Sequence, residues 1–214
     1  MALVPSDLLS SLHAVHSLTS LCSRLQSFLS HQTQCCFFTY TDPRRRFSSN
    51  SLNPPHPALL GSIYLLGCHF LGPSSSHAPL TSPLLNNAVR DVLQAVGSAR
   101  PPIDVVQACC LIGQYYYFTG DKVQGYRHAF AAARMATTLG LHQLSRERDA
   151  WAAGSELFGS EGGGPWANER ENEIAVFWQV FTVDRMWSAA YGLVAALPDE
   201  SSPSRRITTP FPAN

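Results

Sequence analysis

The stretch that decides the fold is Cys109-Cys110-Leu111-Ile112-Gly113-Gln114-Tyr115-Tyr116-Tyr117-Phe118-Thr119-Gly120-Asp121, an apolar and aromatic segment that ends at a turn. A segment of small residues follows and closes at Leu139-Gly140-Leu141-His142. Gly120 and Gly140 stand where helices commonly end, because glycine adopts the left-handed conformation that terminates a helix. The pattern predicts a pair of antiparallel helices over residues 103–118 and 123–139.

The second of these predicted helices carries almost no bulk on one face. Helical spacing places four alanines on that face: Ala129, Ala132, Ala133 and Ala136. We therefore expect the bulky face of the first helix to approach it closely.

Outward from this pair, apolar residues recur at helical spacing in four more segments. They predict helices over residues 6–30, 57–71, 84–96 and 169–191. No segment shows the sustained alternation of a strand, so the predicted fold class is all-α. We expect antiparallel helix pairs in an irregular bundle or a short α-solenoid-like array.

The predicted organisation has three parts. An amphipathic helix occupies residues 1–34, a helical domain residues 35–200, and an extended tail rich in Ser, Pro and Thr residues 201–214. Within the domain, residues 35–57 predict a packed loop with an exposed end, and residues 150–167, which contain Gly162-Gly163-Gly164, predict an insertion loop.

Charge gives little indication of a partner. Fifteen basic residues balance fifteen acidic ones, and charged residues make up 14% of the chain, below the roughly 25% usual in soluble domains. No overall field attracts DNA or a membrane surface. The longest nearly apolar run, residues 58–71, is too short to span a bilayer, so we expect no membrane partner.

Most of the six cysteines are predicted to be buried thiols rather than ligands of a metal centre. Two adjacent pairs, Cys35-Cys36 and Cys109-Cys110, lack the two-residue spacer of common zinc sites. No secretory signal is evident at the N-terminus, which favours reduced thiols in an intracellular compartment.

Several residues are candidates for chemistry, and each has a simpler interpretation. The glycine triplet lacks a following Gly-Lys-Ser or Gly-Lys-Thr and a preceding strand. His13 and His16 lie one turn apart without a spaced third ligand. No local signature accompanies the cysteines as nucleophiles. We therefore predict no catalytic residue, no metal ligand and no enzyme activity, and we assign no residue to a cofactor.

Three further features left alternatives open. Asp184-Arg185, between Trp178 and Trp187, could hold a general base, but a buried helix-to-helix ion pair or bidentate hydrogen bond is favoured. Arg44-Arg45-Arg46 fits a phosphate contact, part of a nuclear import signal or a solvated loop. Tyr115 to Phe118 could stack bases, but four consecutive helical positions point in four directions, which favours a core role.

Four blocks together resemble the fungal-specific transcription factor domain, the regulatory region of zinc binuclear cluster transcription factors, in its xylanolytic-activator-like form. The blocks are His56-Pro57-Ala58-Leu59-Leu60-Gly61-Ser62-Ile63-Tyr64-Leu65, Tyr126 through Leu139-Gly140-Leu141-His142, Phe177-Trp178-Gln179-Val180-Phe181-Thr182-Val183-Asp184-Arg185, and Leu197-Pro198-Asp199 with Thr209-Pro210. Their order and spacing cover about residues 35–212.

The resemblance implies a nuclear regulator of transcription that binds the transcription machinery or other protein partners, with a small-molecule effector and a homodimer as further options. The family's zinc cluster is absent from this chain, so we expect no cofactor and no DNA-binding residue here, and DNA contact only indirectly. Many relatives continue beyond the position of Pro212, so we expect a truncated chain or a lone regulatory domain. The alternative is a tetratricopeptide-like interaction scaffold, although its period of about 34 residues does not recur.

Overall fold

The computed structural model describes residues 19–37, 46–47, 54–97, 102–145, 165–197 and 206–212, without the side chains of residues 165–168. These ranges contain six α-helices and no strand. They are α1 (19–30), α2 (Pro57–Leu71), α3 (Thr81–Val96), α4 (Ile103–Thr119), α5 (Lys122–Thr138) and α6 (Pro165–Tyr191). Short 3-10 helices lie at Gln32–Cys35, Ala78–Leu80 and Leu141–Gln143. The predicted all-α class is confirmed.

The turn between α4 and α5 forms at the predicted residues. Gly120 closes α4 in the left-handed conformation, with φ 81°, and Asp121 N–H donates to the Tyr116 carbonyl over 3.0 Å. The Asp121 carboxylate then caps α5 by accepting from Gln124 N–H at 3.1 Å. Gly140, also left-handed with φ 73°, follows the end of α5 as predicted.

Two helices begin earlier than the apolar pattern predicts. Helix α3 starts at Thr81 rather than at residue 84, and α6 starts at Pro165 rather than at residue 169. Proline in a first helical turn lacks only an N–H that would have no partner there, so it does not prevent the earlier start. In α3, Ala88 is buried whereas Val96, near the end of the helix, is 45% exposed.

Helices α2, α4 and α6 run in the same direction. The Ser62 hydroxyl reaches the Ala108 carbonyl and the His69 ring packs against that of Tyr115, both 46 residues later. Gln107 contacts Gln179 and Gln114 contacts Met186, both 72 residues later. Because each pair of helices keeps a constant offset at two points, the helices of each pair are parallel.

The pairs α2–α3 and α4–α5 therefore stack in one register. Helix α4 packs on both helices of the first pair, and α6 packs on both helices of the second. This repeated order favours the α-solenoid-like arrangement over an irregular bundle. The pairs begin at residues 57 and 103 and α6 at residue 165, so the chain has no constant repeat length.

Helix α4 lies at the centre of the core. Ten consecutive residues, Val105 to Gln114, are buried. One apolar cluster joins α4 to α5 and α6 around Phe177 and Trp187, and another joins it to α1 and α2 around Phe28 and Leu111. The two halves of the core thus meet on a single helix.

Some predictions lie outside the described residues, among them those for His13, His16, Arg44, Arg45 and Gly162 to Gly164. The division of the chain at residues 34 and 200 stays a prediction. Among the helices that the structure describes, none is long and apolar enough to cross a bilayer.

Candidate functional site

The extended residues 206–212 are fastened to α6 and to the 3-10 helix that follows α5. Trp178 on α6 donates its indole N–H to the Pro210 carbonyl at 2.7 Å, and its ring stacks on Phe211 at 4.1 Å. Thr208 N–H donates to the His142 carbonyl at 2.9 Å, and the buried Thr209 hydroxyl accepts from Leu144 N–H at 3.0 Å. Three segments that carry the sequence resemblance therefore contact one another directly.

Asp184 performs a structural task at the end of α6. Its side chain is 2% exposed, and its two oxygens accept from the backbone N–H groups of Ala196 at 2.8 Å and Leu197 at 3.0 Å. The Arg185 guanidinium is 3.9 Å away. The predicted bidentate hydrogen bond is confirmed, but its partners are backbone amides rather than a second helix. Because both oxygens are engaged, the general-base interpretation loses its support.

The aromatic row at the end of α4 spreads around the helix as predicted. Tyr115 and Phe118 pack against His69 of α2, Tyr116 stacks on His128 of α5, and Tyr117 packs against Trp187 of α6. No flat platform for bases can form from rings that face three different helices. All four side chains are partly buried where the helices meet.

The cysteines of the core are in an environment that suppresses thiolate formation. Burial raises the pKa of the Cys35 and Cys109 thiols to about 12, and it raises the pKa of Cys110 well above its usual value. A protonated, enclosed thiol is a poor nucleophile and a poor metal ligand. Among the described residues, no group of three or more His, Cys, Asp or Glu side chains is placed to hold a metal ion.

The side chain of Arg46 does not lie in a solvated loop, which was one interpretation of Arg44-Arg45-Arg46. Its guanidinium forms an ion pair with Asp104 at the start of α4 and donates to the Asn172 amide oxygen of α6 at 3.1 Å. The side chains of Arg46 and Asp104 are each only 14% exposed. This arginine therefore connects two helices instead of contacting solvent or phosphate.

The least expected feature is a line of polar side chains buried between α4 and α6. Gln107 and Gln179 are both 0% exposed, and Gln107 Nε2 donates to Gln179 Oε1 at 3.3 Å. Among the residues that the structure describes, Gln107 Oε1 and Gln179 Nε2 have no hydrogen-bond partner. One acceptor and one donor are thus left unpaired at this level of the interface.

Two turns further along the same interface, a second acceptor and donor are unpaired. Gln114 Nε2 meets only sulfur, at 3.9 Å from Cys36 Sγ and 3.8 Å from Met186 Sδ, and sulfur is a weak acceptor. Gln114 Oε1 and Trp187 Nε1 have no hydrogen-bond partner within the described part of the chain, although both residues are 0% exposed. We call Gln107, Gln179, Gln114 and Trp187 the polar seam.

The polar seam is energetically unusual. A buried polar group without a partner costs about 1–3 kcal/mol, and such groups are rare in folded proteins. Amide and indole groups carry no charge, so the seam suits neutral molecules that both donate and accept hydrogen bonds. Sequence reasoning missed it, although Gln107 and Gln114 stand seven residues apart in an apolar helix, which places them on one face.

Comparison with protein families agrees with the motifs. The family model of the fungal specific transcription factor domain matches residues 13–214. No curated protein and no solved structure matches the chain. The match covers every helix that the structure describes, from α1 to α6, and the fastened residues 206–212. The chain therefore belongs to the fungal specific transcription factor domain family and is a fungal transcription regulatory domain.

Proposed function

We propose that this domain controls a nuclear transcription factor by binding a small, neutral effector at the polar seam. DNA contact would come from a zinc cluster that is not part of this chain. The observation that carries the proposal is a set of four fully buried polar groups on α4 and α6 that have no hydrogen-bond partner among the described residues.

The physical argument concerns the packing of α6. A ligand shifts a conformational equilibrium only by its difference in affinity for the two states. A molecule that supplies partners to the seam would favour a packing in which α6 stands slightly apart from α4. Because α6 holds residues 206–212 through Trp178 and residues 196–197 through Asp184, its displacement would reach the surface.

A reporter assay tests this proposal. The chain is fused to a heterologous DNA-binding domain in yeast, and reporter output is compared with that of the DNA-binding domain alone across growth media. Gln107→Leu/Gln179→Leu fills the seam with apolar groups of similar size and should make the output insensitive to the medium. Gln26→Leu/Gln94→Leu is the matched control, since both of these glutamines are exposed.

Two results would contradict the proposal. One is a wild-type fusion whose output equals that of the DNA-binding domain alone in every medium. The other is a seam variant that is folded and responds to the medium as the wild type does.

A second candidate is a protein-interaction scaffold, which the common register of α2–α3, α4–α5 and α6 favours. A scaffold acts through its outer surface. It predicts that the seam variant keeps the wild-type response and that surface substitutions alter it.

A further inference from the structure

The outer face of α5 combines apolar and cationic side chains. Val123, Arg127, Phe130 and Arg134 are spaced by four, three and four residues, so they lie along one side of the helix. All four are exposed, and the apolar pair is notably so, with Val123 59% and Phe130 43% accessible.

The chain beyond α6 extends this surface. Tyr126 of α5 donates its hydroxyl to the Val194 carbonyl at 3.1 Å and packs against Phe130 with ring centroids 6.1 Å apart. Val194 is 83% exposed and its neighbour Leu193 36%. Of the eight large apolar side chains that are exposed in the described residues, Val123, Phe130, Leu193 and Val194 therefore gather on this side.

Among the described residues of this surface, the charged side chains have a single sign. Helix α5 contains Lys122, Arg127 and Arg134 and no acidic residue, and Asp121 just before it is occupied as the helix cap. In the part of the chain that the structure describes, Arg127 and Arg134 form no ion pair. Since the whole chain is neutral, this concentration of unpaired cations is local.

We propose that the outer face of α5, with Leu193 and Val194, docks an acidic amphipathic segment of a partner protein. Carboxylates of the partner pair with Arg127 and Arg134, and its apolar side chains cover Val123 and Phe130. An arginine guanidinium forms two parallel hydrogen bonds with a carboxylate. Apolar contacts beside such an ion pair exclude water from it. This inference deepens the proposed function by naming a partner class, and it depends on that function only for its effect on transcription.

The binding test uses purified chain and a fluorescein-labelled synthetic peptide that presents Asp and Glu on one side of a helix and Leu and Phe on the other. Fluorescence anisotropy measures its dissociation constant. Arg127→Glu/Arg134→Glu should weaken binding at least about tenfold, since like charges then face one another. Arg90→Glu is the matched control, because Arg90 is an arginine exposed on α3 and its reversal should leave the dissociation constant unchanged.

Two further arms separate charge from amphipathic recognition. Phe130→Ser should weaken binding by about fivefold, because an apolar anchor is lost. A peptide of the same composition in scrambled order should bind at least about tenfold more weakly than the amphipathic one. Since all substituted side chains are exposed, each variant should retain the wild-type circular dichroism spectrum and melting temperature.

The proposal is overturned if the scrambled peptide binds as well as the amphipathic one, if Arg90→Glu weakens binding as much as the double reversal, or if the chain binds phosphatidylserine vesicles through these arginines and not the peptide. The reporter fusion distinguishes the two proposals. Peptide binding lost in Arg127→Glu/Arg134→Glu with no reporter activity in any fusion would sink the proposed function and leave the docking surface intact.

Discussion

Helices α4 and α5 are joined by a two-residue turn, yet they serve opposite purposes. Helix α4 is packed against α2, α3, α5 and α6, and it is buried over ten consecutive residues. Helix α5 is buried along a face of small side chains, while its opposite face exposes arginine, valine and phenylalanine. Because α4 is enclosed by the core over most of its length, the docking surface that we propose lies on α5.

The strongest test of this contrast is Gly125→Ala, on the covered side of α5. A Cβ at Gly125 would lie 2.1 Å from two ring atoms of Trp187, whose side chain is fully buried. We expect a loss of about 3 kcal/mol in the free energy of unfolding. Urea denaturation followed by circular dichroism measures it.

Gly113→Ala on α4 is the matched control for that change. The added Cβ would meet the Gly125 carbonyl at 3.4 Å and Ala129 N at 3.5 Å, which is ordinary contact. Higher helix propensity should then offset any crowding, leaving stability within about 1 kcal/mol of the wild type. Equal losses in the two variants would contradict the assignment of Trp187 as the bulk that fills the α5 face.

Asp184→Asn tests whether the Asp184 carboxylate holds the segment after α6 in place beside the exposed side of α5. The substitution replaces one acceptor oxygen with an NH₂ group that faces a backbone N–H, so one amide of the segment after α6 loses its partner. We expect a loss of about 2 kcal/mol, together with faster hydrogen exchange at Ala196 and Leu197. Unchanged exchange at both amides would show that the carboxylate does not hold this segment beside Val194.

Phe130→Ser should have almost no effect on folding. The ring is 43% exposed on the outer face of α5, so its removal should change the free energy of unfolding by no more than about 0.5 kcal/mol. A much larger loss in urea denaturation would mean that this face is part of the core, and the distinction between the two helices would fail.

The rate at which cysteine thiols are labelled tests the burial of α4 without any substitution. With iodoacetamide at about pH 8, the exposed Cys22 should react in the folded protein, whereas Cys109 and Cys110 should not, because burial raises their pKa values. Mass spectrometry counts the labelled residues, and denatured protein serves as the control. Labelling of either α4 thiol at the rate of Cys22 would show that α4 is accessible.

The predictable part of the fold was local. The ends of α4 and α5 follow from Gly120, Asp121 and Gly140, because capping depends on residues within a few positions of one another. The face of four alanines was also predictable from spacing alone. The side chain that covers the N-terminal end of this face was not predictable, because Trp187 lies on another helix, 62 residues after Gly125.

The candidate site depended on long-range register, which sequence periodicity does not contain. Gln107 and Gln114 could be placed on one face of α4, but the residues that they contact lie 72 residues later in the chain. Asp184 could be identified as a buried hydrogen-bonding residue, but the amides of Ala196 and Leu197 carry no signal in their side chains. Backbone partners of this kind are visible only in three dimensions.

The central claim is that the polar seam lowers stability and is therefore suited to binding rather than to folding. A double-mutant cycle on Gln107→Leu and Gln179→Leu, followed by urea denaturation, tests it most directly. Each single change should cost about 1–2 kcal/mol, because the remaining amide loses its partner, and the double variant should be at least as stable as the wild type. A double variant less stable than either single variant would contradict the claim.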